Sequence, residues 1–170
     1  HQMARINTFL ASLTGGPLDK TGDGYHVSMS FSAIGSGGLS GKGYGDGILS
    51  QFDYLPERHT DFIFSVVAEE AGFFGTIVVL GFFFILFVLC LRVALRAGEP
   101  FGRIIAVGIA TMFFAQVMIN VGMTCGVMPV TGIPLPFFSY GGSSLLTSLA
   151  AIGLVMSIHA HSPRDNLAGV

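Results

Sequence analysis

The chain has 170 residues, 51% of them apolar and only 11% charged, where an average soluble domain carries about a quarter charged residues. No Asp, Glu, Lys or Arg occurs between Ile104 and Pro163; so much uncharged sequence excludes a water-exposed globular domain and makes a membrane protein the default class. A net charge of −2 without a basic cluster excludes nucleic acid as a partner.

Residues 1–60 are polar and Gly-rich and form a first region. The start, His1-Gln2-Met3-Ala4-Arg5, lacks the basic, apolar and small-residue order of a signal peptide, and the chain reads as one entered part-way through. Short amphipathic pieces are expected at Arg5–Leu13 and Tyr25–Ile34, with loop elsewhere. Seven glycines fall between Gly35 and Gly47. They do not match GxGxxG, and Gly41-Lys42 is followed by Gly43 rather than Ser or Thr, so the phosphate-loop reading fails. A flexible surface loop is the plainer reading; a loop that clasps a large ligand is the alternative.

Residues 61–170 form the membrane region. Pro56 suits a first helical turn, and Thr60 or Asp61 suits a cap. The uncharged stretch Ala71–Leu91 is long enough to cross the hydrocarbon core, which places Glu69 and Glu70 at headgroup level or against a polar cavity. Further spans are expected at about 104–125 and 143–159. Gln116, Asn120 and Thr124 recur at every fourth position, so one face of the second span is polar and must meet another helix or a water-filled cleft. The third is rich in Ser, Thr, Ala and Gly. Between them, residues 126–142 hold Pro129, Pro134 and Pro136 but no charge; irregular backbone of this kind must be shielded by protein or line a cavity. Cys90 and Cys125 fall near opposite faces, too far apart for a disulfide, and read as small buried hydrophobes. Three Arg against one Glu over 92–103 mark that loop as cytoplasmic, which puts residues 1–60 and the proline-rich loop outside.

The densest ionisable cluster is Leu55-Pro56-Glu57-Arg58-His59-Thr60-Asp61. An ordinary capped helix start explains it as well as a site does. Glu57, His59 and Asp61 do not have a recognised metal-ligand spacing, and no Ser sits in a nucleophile-like turn to complete a triad. His159 and His161 read as tail residues.

Two longer runs carry a resemblance. Leu55–Phe64 with Ala68-Glu69-Glu70 and Gly72, and Asn120–Met123 followed by Pro129–Ser144, resemble in order and spacing the hallmarks of the SEDS proteins (RodA, FtsW and SpoVE). Ala33–Gly43 and the Glu57-Arg58-His59 form are more like the RodA branch. The resemblance covers nearly the whole chain, yet family members have more transmembrane helices than three. It therefore implies the C-terminal three transmembrane helices of a polytopic all-α bundle in the bacterial cytoplasmic membrane, preceded by a large Gly-rich extracytoplasmic loop.

The resemblance implies a peptidoglycan glycosyltransferase that polymerises lipid II into glycan strands for elongation and rod shape, working with a class B penicillin-binding protein. Activity is not expected of this part alone. By motif position Asp61 is the catalytic residue. The candidates for binding lipid II and the growing strand are Lys42, Glu57, Arg58, His59, Glu69 and Ser139, with Arg58 or Lys42 toward the departing pyrophosphate. No metal ligands are assigned; a divalent cation such as Mg2+ or Mn2+ is compatible with pyrophosphate departure. The alternatives are a lipid II flippase and a non-catalytic scaffold for the penicillin-binding protein.

Overall fold

The computed structural model describes residues 23–45 and 61–162, and all regular structure among them is helical. Four helices follow in order: α1 (Asp23–Gly37), α2 (Ile63–Arg96), α3 (Pro100–Thr124) and α4 (Gly142–His161). The last three are long and apolar enough to cross a membrane. The helix expected over Tyr25–Ile34 is α1; the piece expected at Arg5–Leu13 lies outside the described residues.

The turn between α2 and α3 is only Ala97–Glu99, so the two helices double back on each other. Pro100 opens α3, where its missing N–H has no helical partner to lose. Arg92 and Arg96 therefore stand on the last turns of α2 and Arg103 on the first turn of α3, rather than in a loop. Near this end Cys90 and Ala110 pack with Val155 of α4, Ile158 covers Gly102, and the Ser162 hydroxyl donates to the Arg96 carbonyl. The buried positions of α4 are small or slender: Ser148, Ala151 and Val155. In lipid, close backbone approach of this kind replaces the hydrophobic drive of water.

At the opposite end a second cluster joins Phe83 of α2, Val117 of α3 and Leu135 of the proline-rich segment. Residues 126–141 fold back over the helices, as their lack of charge requires. α3 ends in a Schellman motif: Val127 N–H donates to the Gly122 carbonyl at 2.8 Å and Gly126 N–H to Met123 at 3.2 Å, with Gly126 at φ 65°. Phe137 and Phe138 then lay their rings against Phe113 and Phe83, 5.8 Å between centroids in each case.

α1 is built onto this end. Its buried residues Gly24, Val27, Ser30, Ala33 and Gly37 form one stripe facing α2 and α3. Ser30 Oγ lies 2.6 Å from Ser65 Oγ and donates to the Thr124 carbonyl at 2.9 Å, which ties three helices at one hydroxyl.

α2 is not one continuous helix. A straight helix of its 34 residues would run about 51 Å, well beyond the ~30 Å hydrocarbon core. Gly72 breaks it, with φ 64° and ψ −164°. The Gly-rich stretch read from the sequence as a flexible surface loop enters this break. Lys42 and Gly43 N–H groups donate to the carbonyls of Glu69 and Glu70, both at 3.1 Å. Past the break, Phe73 and Phe74 N–H groups donate to Gly38 and Leu39, at 3.0 and 3.2 Å. The loop thus satisfies the carbonyls that end the first part of α2 and the N–H groups that start the second. Only residues without a Cβ allow this approach: a Cβ at Gly72 would stand 2.2 Å from Gly41 N, and one at Gly41 2.1 Å from the Glu70 oxygen.

Candidate active site

Asp61 lies in the turn that leads into α2, and the N-cap of that helix is Phe62, with no side chain hydrogen-bonded at the cap. The N-cap position thus falls on Phe62, one residue beyond Asp61, and Thr60 lies outside the described residues. Phe62 is almost wholly buried and anchors the turn, so the backbone at Asp61 has little freedom.

Two further groups define the surroundings of Asp61. Asn120, buried near the end of α3, donates through one amide nitrogen to the Asp61 carbonyl at 2.9 Å and to the Ile133 carbonyl at 2.8 Å. Gly132, at φ 74°, brings the proline-rich loop against the carboxylate: a Cβ there would stand 3.2 Å from Asp61 Oδ2. The polar face of α3 thus meets the start of α2, the proline-rich loop and α1. Its third member, Thr124, donates back to its own helix and presents its carbonyl to Ser30.

The other candidates are dispersed. Lys42 and Glu69 meet each other: Lys42 Nζ lies 2.9 Å from Glu69 Oε1, which Ser36 Oγ also approaches at 3.4 Å. The Glu69 side chain is 1% exposed and that of Lys42 28%. Glu69 thus has a polar protein environment beside the helix break, formed by Lys42 and Ser36, while Asp61 has Asn120 and Gly132. Its neighbour Glu70 accepts from Gly45 N–H at 3.3 Å. Ser139 closes a turn, accepting from Leu135 N–H through Oγ at 2.7 Å while its own N–H donates to the Leu135 carbonyl at 3.0 Å. Glu57, Arg58 and His59 lie outside the described residues.

Among the described residues no group of three or more His, Cys, Asp or Glu side chains is placed to hold a metal ion. Both cysteines are unbridged; Cys90 is buried as expected, but Cys125 is exposed because it follows the last turn of α3.

Sequence reasoning placed Asn120 on a polar face without naming its partners, and it did not single out Gly132. The signal for Asn120 was present, since an amide in an apolar span needs hydrogen-bond partners. That for Gly132 was weaker: a glycine beside prolines is expected in any turn.

Comparison with known proteins agrees with this architecture. Residues 1–164 match the cell cycle protein family FtsW/RodA/SpoVE. The peptidoglycan glycosyltransferase MrdB of Escherichia coli K12 is 50% identical over 143 residues, 84% of this chain and 39% of that protein. The peptidoglycan glycosyltransferase RodA of Treponema pallidum is 44% identical over 160 residues, 94% of this chain and 36% of that protein. The chain thus spans about two fifths of the length of these relatives. Among solved structures, a peptidoglycan synthase complex that coordinates polymerisation and crosslinking superposes with TM-score 0.70 at 39% identity, over 84% of this chain and 38% of that one. A mutant of the rod shape determining protein RodA of Thermus thermophilus gives 0.61 at 40% identity, over 81% and 41%. The chain belongs to the FtsW/RodA/SpoVE family of multi-pass bacterial membrane proteins.

Proposed function

We propose that this chain is the C-terminal, catalytic-aspartate-bearing part of a peptidoglycan glycosyltransferase that polymerises lipid II at the outer face of the cytoplasmic membrane. The observation that carries this reading is the setting of Asp61. Its backbone carbonyl is held by Asn120, and its carboxylate lies beside Gly132 at the end of the bundle opposite the arginines. That is the depth at which the sugars of a membrane-anchored substrate reside. Asp61 takes the proton from the acceptor sugar hydroxyl as its oxygen bonds to the anomeric carbon of the donor, and the lipid pyrophosphate leaves with the electron pair of the bond that breaks. Cationic help for the pyrophosphate comes from Lys42, which is paired with Glu69, or from Arg58. A class B penicillin-binding protein as partner is consistent with the relative found in a complex that couples polymerisation to crosslinking.

The break in α2 favours a second reading, since discontinuous helices line the pathways of transporters. Here residues 38–43 enter the break and pair with the carbonyls of Glu69 and Glu70 and the N–H groups of Phe73 and Phe74, which favours a structural role for it. The test is Asp61→Asn in the full-length protein with its partner, assayed on purified lipid II. Loss of a general base lowers the rate about 100- to 10,000-fold, whereas wild-type product from this variant overturns the catalytic assignment.

A further inference from the structure

Asn120 is wholly buried and lies far in sequence from both groups it contacts. One amide nitrogen carries two hydrogens, and each reaches a backbone carbonyl, that of Asp61 and that of Ile133. This fixes which way the amide points, because the opposite orientation would set Oδ1 against two carbonyl oxygens. The first carbonyl belongs to the residue bearing the carboxylate. The second follows Gly132, where an added Cβ would stand 3.2 Å from that carboxylate. The Asn120 side chain therefore ties the turn at Asp61 to the loop beside it.

We infer that Asn120 is a positioning residue for Asp61, and that Gly132 is the wall against which the carboxylate is aimed at the acceptor hydroxyl. This rests on the reading of Asp61 as the base. Asn120 works from the backbone side and from within the bundle, so it acts on the geometry of the reacting group and not on substrate affinity. A misplacement on the order of 1 Å at a reacting group costs about 100-fold in rate.

The test uses the full-length protein with its partner and lipid II as substrate. Asn120→Ala removes both bonds. Gly132→Ala keeps the Asn120 side chain and sets a methyl group about 3.2 Å from Asp61 Oδ2, close enough to displace the carboxylate by a few tenths of an ångström, with added strain from the positive φ. Both variants are expected to lower kcat per folded molecule by about 10- to 100-fold and to leave KM for lipid II within about twofold. Ser30→Ala serves as the structural control. It breaks the tie between α1 and α3, should lower the melting temperature, and should leave kcat and KM of the folded fraction unchanged. If Asn120→Ala does not fold, Gly132→Ala carries the test alone. Wild-type kcat in the folded variants, or a loss that appears in KM rather than kcat, overturns the positioning role, provided Asp61→Asn is inactive in the same assay. If Asp61→Asn is itself active, the underlying reading has failed and the positioning role falls with it.

Discussion

Lys42 and Glu69 form an ion pair whose two partners are unequally buried. That asymmetry sets the direction of a prediction. Lys42→Met leaves a carboxylate with almost no access to solvent, and removing one partner of a buried pair costs roughly 3–5 kcal/mol. Glu69→Gln leaves an ammonium that is about a quarter exposed and can turn toward water, so its cost should be smaller. The double variant Lys42→Met/Glu69→Gln should recover part of the loss of the first. Melting temperatures of the purified full-length protein check the order; equal losses in the two single variants would show that the pair is screened. The sequence put both residues forward as substrate contacts because they fall within the recognised motifs. Nothing in their spacing, 27 residues apart, says that a loop folds back to bring them together.

The elements themselves were largely legible, because a membrane leaves few choices. Three uncharged stretches gave three helices, and the Pro- and Gly-rich stretch between the last two gave a loop that folds inward. The break in α2 was not legible. Gly72 sits in a run that reads as unbroken helix, and isolated glycines are tolerated in membrane helices. What singles it out is a partner more than thirty residues earlier, since Gly41 approaches Gly72 only because neither has a Cβ. Gly72→Ala and Gly41→Ala should therefore expel the loop, lower the melting temperature and speed amide exchange at residues 38–43. Gly81→Ala, in the same helix with nothing within 4 Å of an added Cβ, should instead stabilise by about 0.5–1 kcal/mol in the helix interior. Stabilisation by all three would mean that the loop does not occupy the break.

At the scale of the whole molecule the charges and the candidate site fall at opposite ends of the bundle. Arg92, Arg96 and Arg103 gather at the α2–α3 turn, where the end of α4 also lies. Asp61, Asn120, the filled helix break and the proline-rich loop gather at the other end. The excess of arginine predicts that its end is cytoplasmic; the carboxylate is then expected on the outer side, as the proposed reaction on a lipid-linked sugar requires. Exposed positions make this testable without disturbing the core. Tyr44 and Tyr140, 98% and 84% exposed, stand at the Asp61 end; Gly98 stands at the arginine end. Cys125 is itself exposed at the Asp61 end and must first be replaced by Ser. In that background a membrane-impermeant thiol reagent added to intact spheroplasts should modify Tyr44→Cys and Tyr140→Cys but leave Gly98→Cys untouched until the membrane is opened. The reverse pattern would put Asp61 on the cytoplasmic side, where its proton could not be taken from a sugar joining the external wall. The general-base role would then be lost on position alone, whatever the carboxylate's local geometry.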